Sequence, residues 1–165
     1  MTFILRHPAQ EIQFLNFAAS PTEDRPIDAG RLVRLTGDRE VDTIANASDV
    51  TQLPFGWLMQ KVKDPYTDFP AGFMLRGDMG SSDCFVGDPV AIACGPGAIY
   101  ETDQYVDEAG DGIDYNTLLY PDDDGKLSDS DADSCSGTTP AAVALNSLTA
   151  AECTAGKMLL IKALV

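Results

Sequence analysis

The stretch GDPVAIACGPGAIY, residues 87–100, decides how the rest of the sequence is interpreted. Apolar side chains in its first half alternate with alanines, which is the period-two pattern of a β-strand with one apolar face. In the following Gly-Pro-Gly sequence, Pro96 fixes φ and Gly97 permits the positive φ that a type II turn requires. The stretch predicts a strand, a tight reversal and the start of a partner strand, which together form a central hairpin.

Short strands separated by turns are predicted along most of the chain. Its 165 residues are about the length of one domain, and 14 glycines and 10 prolines fit many reversals. Segments rich in aromatic and β-branched residues indicate strands at residues 31–36, 41–45, 55–62, 71–76 and 157–165. Gly56, near the start of the third strand, indicates a close approach of another backbone. The sequence therefore predicts an all-β protein.

Residues 138–155 are compatible with two structures. Thr139 as N-cap, Pro140 at the first helical position and an alanine-rich body favour a helix. The alternative is a strand at residues 142–145, followed by a turn at Asn146 and a loop of small residues.

Two segments differ from the regular strand-and-turn pattern. Residues 1–27 are apolar and interrupted by prolines, and they form either an edge strand with a loop on the chain's own body or an arm that lies on a partner. Residues 101–138 form a long acidic loop that small apolar clusters attach to the body. The predicted organisation is an N-terminal arm, residues 1–27, and a β-barrel domain, residues 28–165, with the acidic loop as an excursion.

The charge of the chain is strongly negative and unevenly distributed. There are 26 acidic and 11 basic residues, a net charge of −15, and the segment from Glu101 to Cys135 carries twelve acids against Lys126 alone. Such a surface repels phosphate groups, so we expect no nucleic-acid partner. No apolar stretch approaches the roughly 18 residues that a membrane-spanning helix needs, so we expect no membrane partner either.

The remaining chemistry-bearing residues do not form a recognisable site. The four cysteines include no CxxC pair, and the start of the chain does not resemble a signal peptide, so we expect reduced thiols in a cytoplasm. The acidic run does not fit an EF-hand, because Gly125 at position 6 would place Tyr120 at the first ligand position. His7 is the single histidine, close to the terminus. We therefore expect no catalytic set, no metal site and no cofactor.

Five segments follow one another in a distinctive order. A G-x-L-V strand and an x-G-x-L strand precede a G-D-x-V-x-I strand with a glycine turn, and an Asp-Gly-Lys-Leu motif at residues 124–127 precedes the last strand. The segments are residues 29–35, 55–58, 86–92, 95–99 and 156–165. Over residues 28–165 this order resembles that of the head decoration, or cement, proteins of tailed bacteriophages. The long arm and the acidic loop depart from the pattern of that family.

The resemblance implies a small β-barrel or β-tulip fold and a structural role in the virion. Proteins of this kind sit as homotrimers on the outer surface of an icosahedral head, assembled in the host cytoplasm, where they clamp neighbouring major capsid subunits. We expect the major capsid protein and two further copies of the chain as partners, and no enzymatic activity. The expected capsid contacts are apolar residues of the arm, namely Phe3, Ile4, Leu5, Phe14 and Phe17. The expected trimer contacts are Trp57, Leu160, Ile161 and Leu164.

Two other functions fit the same sequence. The first is a tail or fibre component, or a carbohydrate-binding module, in which Trp57 or the loop at residues 66–73 would bind a glycan. The second is a small hydrolase that would use carboxylates of residues 101–133, although acids are so frequent there that their presence specifies no reaction.

Overall fold

The computed structural model describes residues 4–5, 11–18, 26–44, 53–63, 83–131 and 139–165. These residues form short strands and one five-residue helix, which confirms an all-β protein. In chain order the elements are β1 (Ile4–Leu5), β2 (Glu11–Phe17), β3 (Leu32–Gly37), β4 (Glu40–Thr43), β5 (Gly56–Leu58), β6 (Lys61–Lys63), β7 (Asp83–Phe85), β8 (Pro89–Cys94), β9 (Ile99–Thr102), β10 (Tyr105–Val106), β11 (Gly112–Ile113), β12 (Leu118–Pro121), β13 (Leu127–Ser128), β14 (Ala142–Ala144), β15 (Leu148–Thr149), α1 (Ala150–Thr154) and β16 (Leu159–Ala163). No helix among them is long and apolar enough to cross a membrane.

Five strands close a small barrel in the order β2-β4-β3-β5-β8. Neighbouring strands are antiparallel except β2 and β4, which run parallel. The structure therefore confirms the β-barrel that the sequence predicts. Closure leaves this sheet without an unpaired edge along most of its strands, which protects it from pairing with other chains.

A second sheet of seven strands has the order β1-β9-β16-β14-β12-β13-β10. Two further pairs, β11 with β15 and β6 with β7, form separate two-stranded sheets. The C-terminal strand β16 lies near the centre of the second sheet, between β9 and β14. The end of the chain thus holds together strands that are distant from it in sequence.

The described residues form two apolar cores, one on each side of the barrel wall. The first fills the barrel and includes Val33, Leu58 and Ile92. The second lies between the barrel wall and the second sheet. From the wall it takes Leu32, Trp57 and Ala93, which are neighbours in the strand register, and from the sheet it takes Tyr100, Leu119, Leu159 and Ile161 among others. Because strand side chains alternate between faces, β3, β5 and β8 contribute to both cores.

The prediction that residues 87–100 form a hairpin is wrong, because the two strands and the turn are present but the strands do not pair with each other. Gly97 has the expected positive φ of 97°. However, β8 pairs with β2 and β5 in the barrel, whereas β9 pairs with β1 and β16 in the second sheet. The turn passes the chain from one sheet to the other. Alternation of apolar residues predicts a strand but does not specify its partner.

The predicted acidic loop is, over its described residues, part of the second sheet. The apolar clusters at residues 105–106 and 118–120 form strands β10 and β12, and β12 pairs with both β13 and β14. Ile113 lies on β11 and is buried. Each of these apolar clusters therefore lies on a paired strand and does more than contact the body.

The structure also distinguishes between the helix and the strand that the sequence allows within residues 138–155. The prediction of a helix with Thr139 as N-cap is wrong, and the alternative strand is present as β14. The helix α1 begins later, where Thr149 is the N-cap and forms a capping box with Glu152. The predicted strand at residues 55–62 is two strands, β5 and β6, while the one at residues 71–76 lies outside the described residues.

Part of the predicted arm is a strand of the barrel. β2 pairs with β8 over six residue pairs and with β4 at its end. The alternative of a strand on the chain's own body therefore applies to Glu11–Phe17. Its register places Leu15 opposite Val90, and both of these side chains pack with the barrel interior.

Gly56 shows the close backbone approach that the sequence indicates. A Cβ at this position would lie 2.6 Å from the Ala93 carbonyl oxygen, 2.7 Å from Ile92 Cγ2 and 2.9 Å from Cys94 Sγ. These distances are shorter than van der Waals contact, so β5 and β8 can approach only where a side chain is missing.

We expect Gly56→Ala to lower the free energy of unfolding by roughly 1–3 kcal/mol, because the added methyl overpacks the barrel. Urea unfolding followed by the fluorescence of Trp57, the single tryptophan, measures the change. Gly37→Ala is the matched control, since its Cβ would meet only Glu40 at 3.7 Å. Equal destabilisation by the two variants would show that the close approach at Gly56 does not constrain the barrel.

Candidate interaction surfaces

The outer face of β2 carries large exposed apolar side chains. Phe14 is 70% exposed and Ile12 is 48% exposed, whereas Phe17 is fully buried in the barrel. Phe14 lies opposite Ala91 in the register, and the alanine methyl is too small to cover a phenyl ring. Exposed apolar residues of this size on one strand are typical of an interaction surface. We call Ile12 and Phe14 the β2 face.

The structure places the five predicted capsid-contact residues differently from one another. Phe3 lies outside the described residues, and Ile4 and Leu5 form β1, whose backbone pairs with β9. Phe17 points into the barrel and is not available at the surface. Phe14 is the member of this set that the structure describes with an exposed side chain. Ile12, which the sequence did not single out, lies on the same face because it shares the parity of Phe14.

The predicted trimer-contact residues are also divided between core and surface. Trp57 and Ile161 are fully buried within the chain, Leu160 is half-buried and Leu164 is 38% exposed. Within the chain, Leu159, Ile161 and Ala163 of β16 face the core, and Lys162 is exposed. Burial of Trp57 also removes it as a glycan-stacking residue. The loop at residues 66–73 lies outside the described residues.

The Asp-Gly-Lys-Leu motif attaches the acidic segment to the barrel. Arg31, at the start of β3, donates a hydrogen bond of 2.9 Å from Nη1 to the Asp124 carbonyl oxygen and one of 3.2 Å from Nε to Gln104 Oε1. Gly125 has a φ of 70°, and a Cβ there would lie 2.4 Å from the Leu32 carbonyl oxygen. The motif therefore has a structural function here, since it packs an acidic turn directly against the barrel backbone.

Three carboxylates converge on the second sheet. Oxygen atoms of Asp107, Asp111 and Asp129 lie within 4.8 Å of one another. The backbone N–H groups of Gly110 and Gly112 donate to Asp107, at 2.8 and 2.9 Å, and another backbone N–H donates to Asp129 at 3.0 Å. These hydrogen bonds order the turns between β10, β11 and β13. This structural role explains why the three carboxylates lie close together.

An open groove of about 720 Å³ lies beside these turns. Its sides come from the turn after β10, from β12 and from the chain after β13, which are distant in sequence but adjacent in the sheet. Leu118 is 44% exposed there. The lining comprises Glu108, Ala109, Thr117, Leu118, Tyr120, Asp129, Ser130 and Asp131, with no basic side chain among these described residues. We call this feature the acidic groove.

Sequence reasoning missed the acidic groove. It identified the acids, but the groove depends on parallel pairing of β10 with β13, which brings residues 107–109 next to residues 129–131. Parallel pairing of two-residue strands leaves no local pattern in the sequence. The sequence Leu-Leu-Tyr at residues 118–120 gives no signal of a solvent face, because exposed Leu118 and buried Leu119 are the same residue type.

Comparison of the chain with models of known protein families and with curated proteins finds no match. The function of these surfaces is therefore argued from their geometry, their charge and the resemblance described above.

Cys84, Cys153 and Tyr105 have raised pKa values, which favour their neutral forms. Burial raises the pKa of Cys84 to about 12, with further contributions from Asp88 and Asp83. Burial also raises the pKa of Cys153 and that of Tyr105, whose hydroxyl donates a 2.6 Å hydrogen bond to the Lys157 carbonyl oxygen. A protonated thiol is a poor nucleophile. His7 lies outside the described residues.

We expect Cys84 of the folded protein to resist alkylation by iodoacetamide at about pH 8, where an ordinary thiol reacts readily. The reason is that its raised pKa keeps it protonated and its side chain is buried. Mass spectrometry of peptides after timed labelling measures the reaction, and the chain unfolded in urea is the positive control. Labelling of Cys84 at the same rate in both states would contradict this assignment.

Proposed function

We propose that this protein is a head decoration protein of a tailed bacteriophage. In this role it binds the outer surface of the icosahedral capsid as a trimer and stabilises the contacts between major capsid subunits. It acts as a structural component of the virion and not as an enzyme. The observation that carries the proposal is the β2 face, where Phe14 is 70% exposed on a closed barrel.

The exposed phenyl ring supports binding to a protein surface. A large apolar side chain in water gains free energy when a partner covers it, by about 25 cal/mol per Å² of buried apolar area. On β2 this side chain projects from a strand whose backbone is already paired in the barrel, so it is presented rigidly. Rigid aromatic side chains are frequent among the residues that dominate protein interfaces.

The charge distribution supports one preferred orientation. The first 63 residues carry seven bases and eight acids, whereas residues 101–135 carry most of the net charge of −15. A nearly neutral barrel can approach another protein at little electrostatic cost, while the acidic part of the second sheet remains solvated. We therefore assign the barrel to the capsid side and the acidic segment to the solvent side.

Binding of this protein would stabilise the capsid lattice by mass action. A ligand that binds the assembled lattice and not its free subunits shifts the equilibrium toward the lattice. Three linked copies bind more tightly than one, because the second and third contacts form at high effective concentration. The half-buried Leu160 and the exposed Leu164 remain available for contact between copies.

The proposal is tested by titrating the protein onto undecorated, expanded phage heads and measuring the amount that sediments with them. We expect saturation at a copy number that matches the three-fold sites of the lattice, together with greater resistance of the heads to heat. Absence of saturable binding would overturn the decoration function. Sedimentation equilibrium of the free protein tests the trimer separately.

The β2 face is tested by Phe14→Ser, which we expect to weaken head binding roughly thirtyfold, as truncation of a central aromatic contact does. A deletion of the arm would be uninformative, since it would remove the barrel strand β2. Leu53→Ser is the matched control, because Leu53 is 67% exposed but lies outside this face. If the Phe14 variant binds the heads with unchanged affinity, the β2 face is excluded as the capsid-binding surface. This result would not exclude the decoration function, which the titration tests.

A further inference from the structure

The acidic groove is a second surface for which the decoration function has no use. It combines an apolar side chain, an aromatic side chain and several carboxylates within one concave region. Its two acidic sides lie on separate turns, Glu108 after β10 and Asp131 after β13, with Leu118 of β12 also in the lining. A ligand in the groove would therefore meet carboxylates from both turns and an apolar surface as well.

The charge of the lining restricts the class of ligand. The described residues of its lining include three carboxylates, those of Glu108, Asp129 and Asp131, and no basic side chain. Lys126, the one base between residues 101 and 135, instead contacts Asp124 at 3.5 Å. Acidic or phosphorylated ligands would be repelled, and a positively charged ligand would be attracted.

The apolar part of the groove distinguishes a peptide from a simple ion. Leu118 is 44% exposed, and Ala109 and Tyr120 line the same space. Lysine and arginine have apolar stems that pack on such surfaces while their charged ends contact carboxylates. A volume of about 720 Å³ accommodates several side chains rather than one small ion.

We propose that the acidic groove binds an extended, basic segment of a partner protein. Lysine or arginine side chains of the segment contact Glu108 and Asp131, and an apolar side chain packs on Leu118. This interaction does not depend on the capsid function, because it uses the second sheet and not the β2 face. A failure of one proposal therefore leaves the other unaffected.

The test uses a fluorescein-labelled peptide of about ten residues that contains lysine, leucine and glycine, long enough to extend across several side chains. Fluorescence anisotropy with the full-length protein in EDTA measures its affinity. We expect saturable binding that weakens as salt increases, as electrostatic attraction requires. A peptide with glutamate in place of lysine should not bind.

The site is located with a double variant, Glu108→Gln with Asp131→Asn, which we expect to weaken peptide binding about tenfold. The matched control is Asp38→Asn with Glu40→Gln, which removes the same charge from the turn after β3 and the first residue of β4. Leu118→Ser tests the apolar part, and thermal unfolding confirms that each variant is folded. These substitutions lie at partly or fully exposed positions, so folding should be retained.

Three results would overturn the proposal. Absence of saturable binding would exclude a peptide site, and equal weakening by the groove and control variants would show attraction to overall charge only. Binding that disappears in EDTA and returns with calcium would show that a cation, not the peptide, occupies the carboxylates. Retained affinity of the Phe14 variant for the peptide is expected, since the β2 face is not involved.

Discussion

The packing of Trp57 against Tyr100 is the contact on which both halves of the molecule depend. The two rings are fully buried, with centroids 6.1 Å apart and planes inclined by 43°. Trp57 belongs to the barrel wall and Tyr100 to the second sheet. Such a pair contributes about 0.5–1.5 kcal/mol beyond the burial of its area. The larger effect is architectural, because the barrel wall becomes an internal layer with a core on each side.

This internal layer explains why residues on one face of the barrel have opposite exposure. Ile12, Ala93 and Trp57 are consecutive neighbours across β2, β8 and β5, and all three point outward from the barrel. The second sheet covers Trp57 and Ala93 completely, but Ile12 stays half exposed. The boundary of the second core therefore passes between β8 and β2. Among the described residues, the β2 face is a part of the barrel wall that the second sheet does not cover.

The sequence was sufficient to predict the fold class and several of the strands, but not how the strands pair. Alternation identified β8, and the lack of space at Gly56 was indicated by a glycine within an aromatic strand. One partner of β9 is β16, some 60 residues later, and no local pattern encodes such a pairing. The same limit applies to the surfaces. EIQFLNF has large residues on both parities, so the sequence could not decide whether Phe14 or Phe17 faces the interior.

The acidic segment shows how a folded sheet can carry so much negative charge. Backbone N–H groups donate to Asp107 and Asp129, and Arg31 anchors the turn at Asp124. Hydrogen bonds of this kind stabilise individual carboxylates locally, but those from neutral N–H groups leave the net charge unchanged. A field therefore extends from the second sheet into solvent, where it acts over about 10 Å and is weakened by salt. Burial of an apolar ring at the β2 face has no such dependence. Under the two proposals, the β2 face would therefore select its partner by apolar area and the acidic groove by charge.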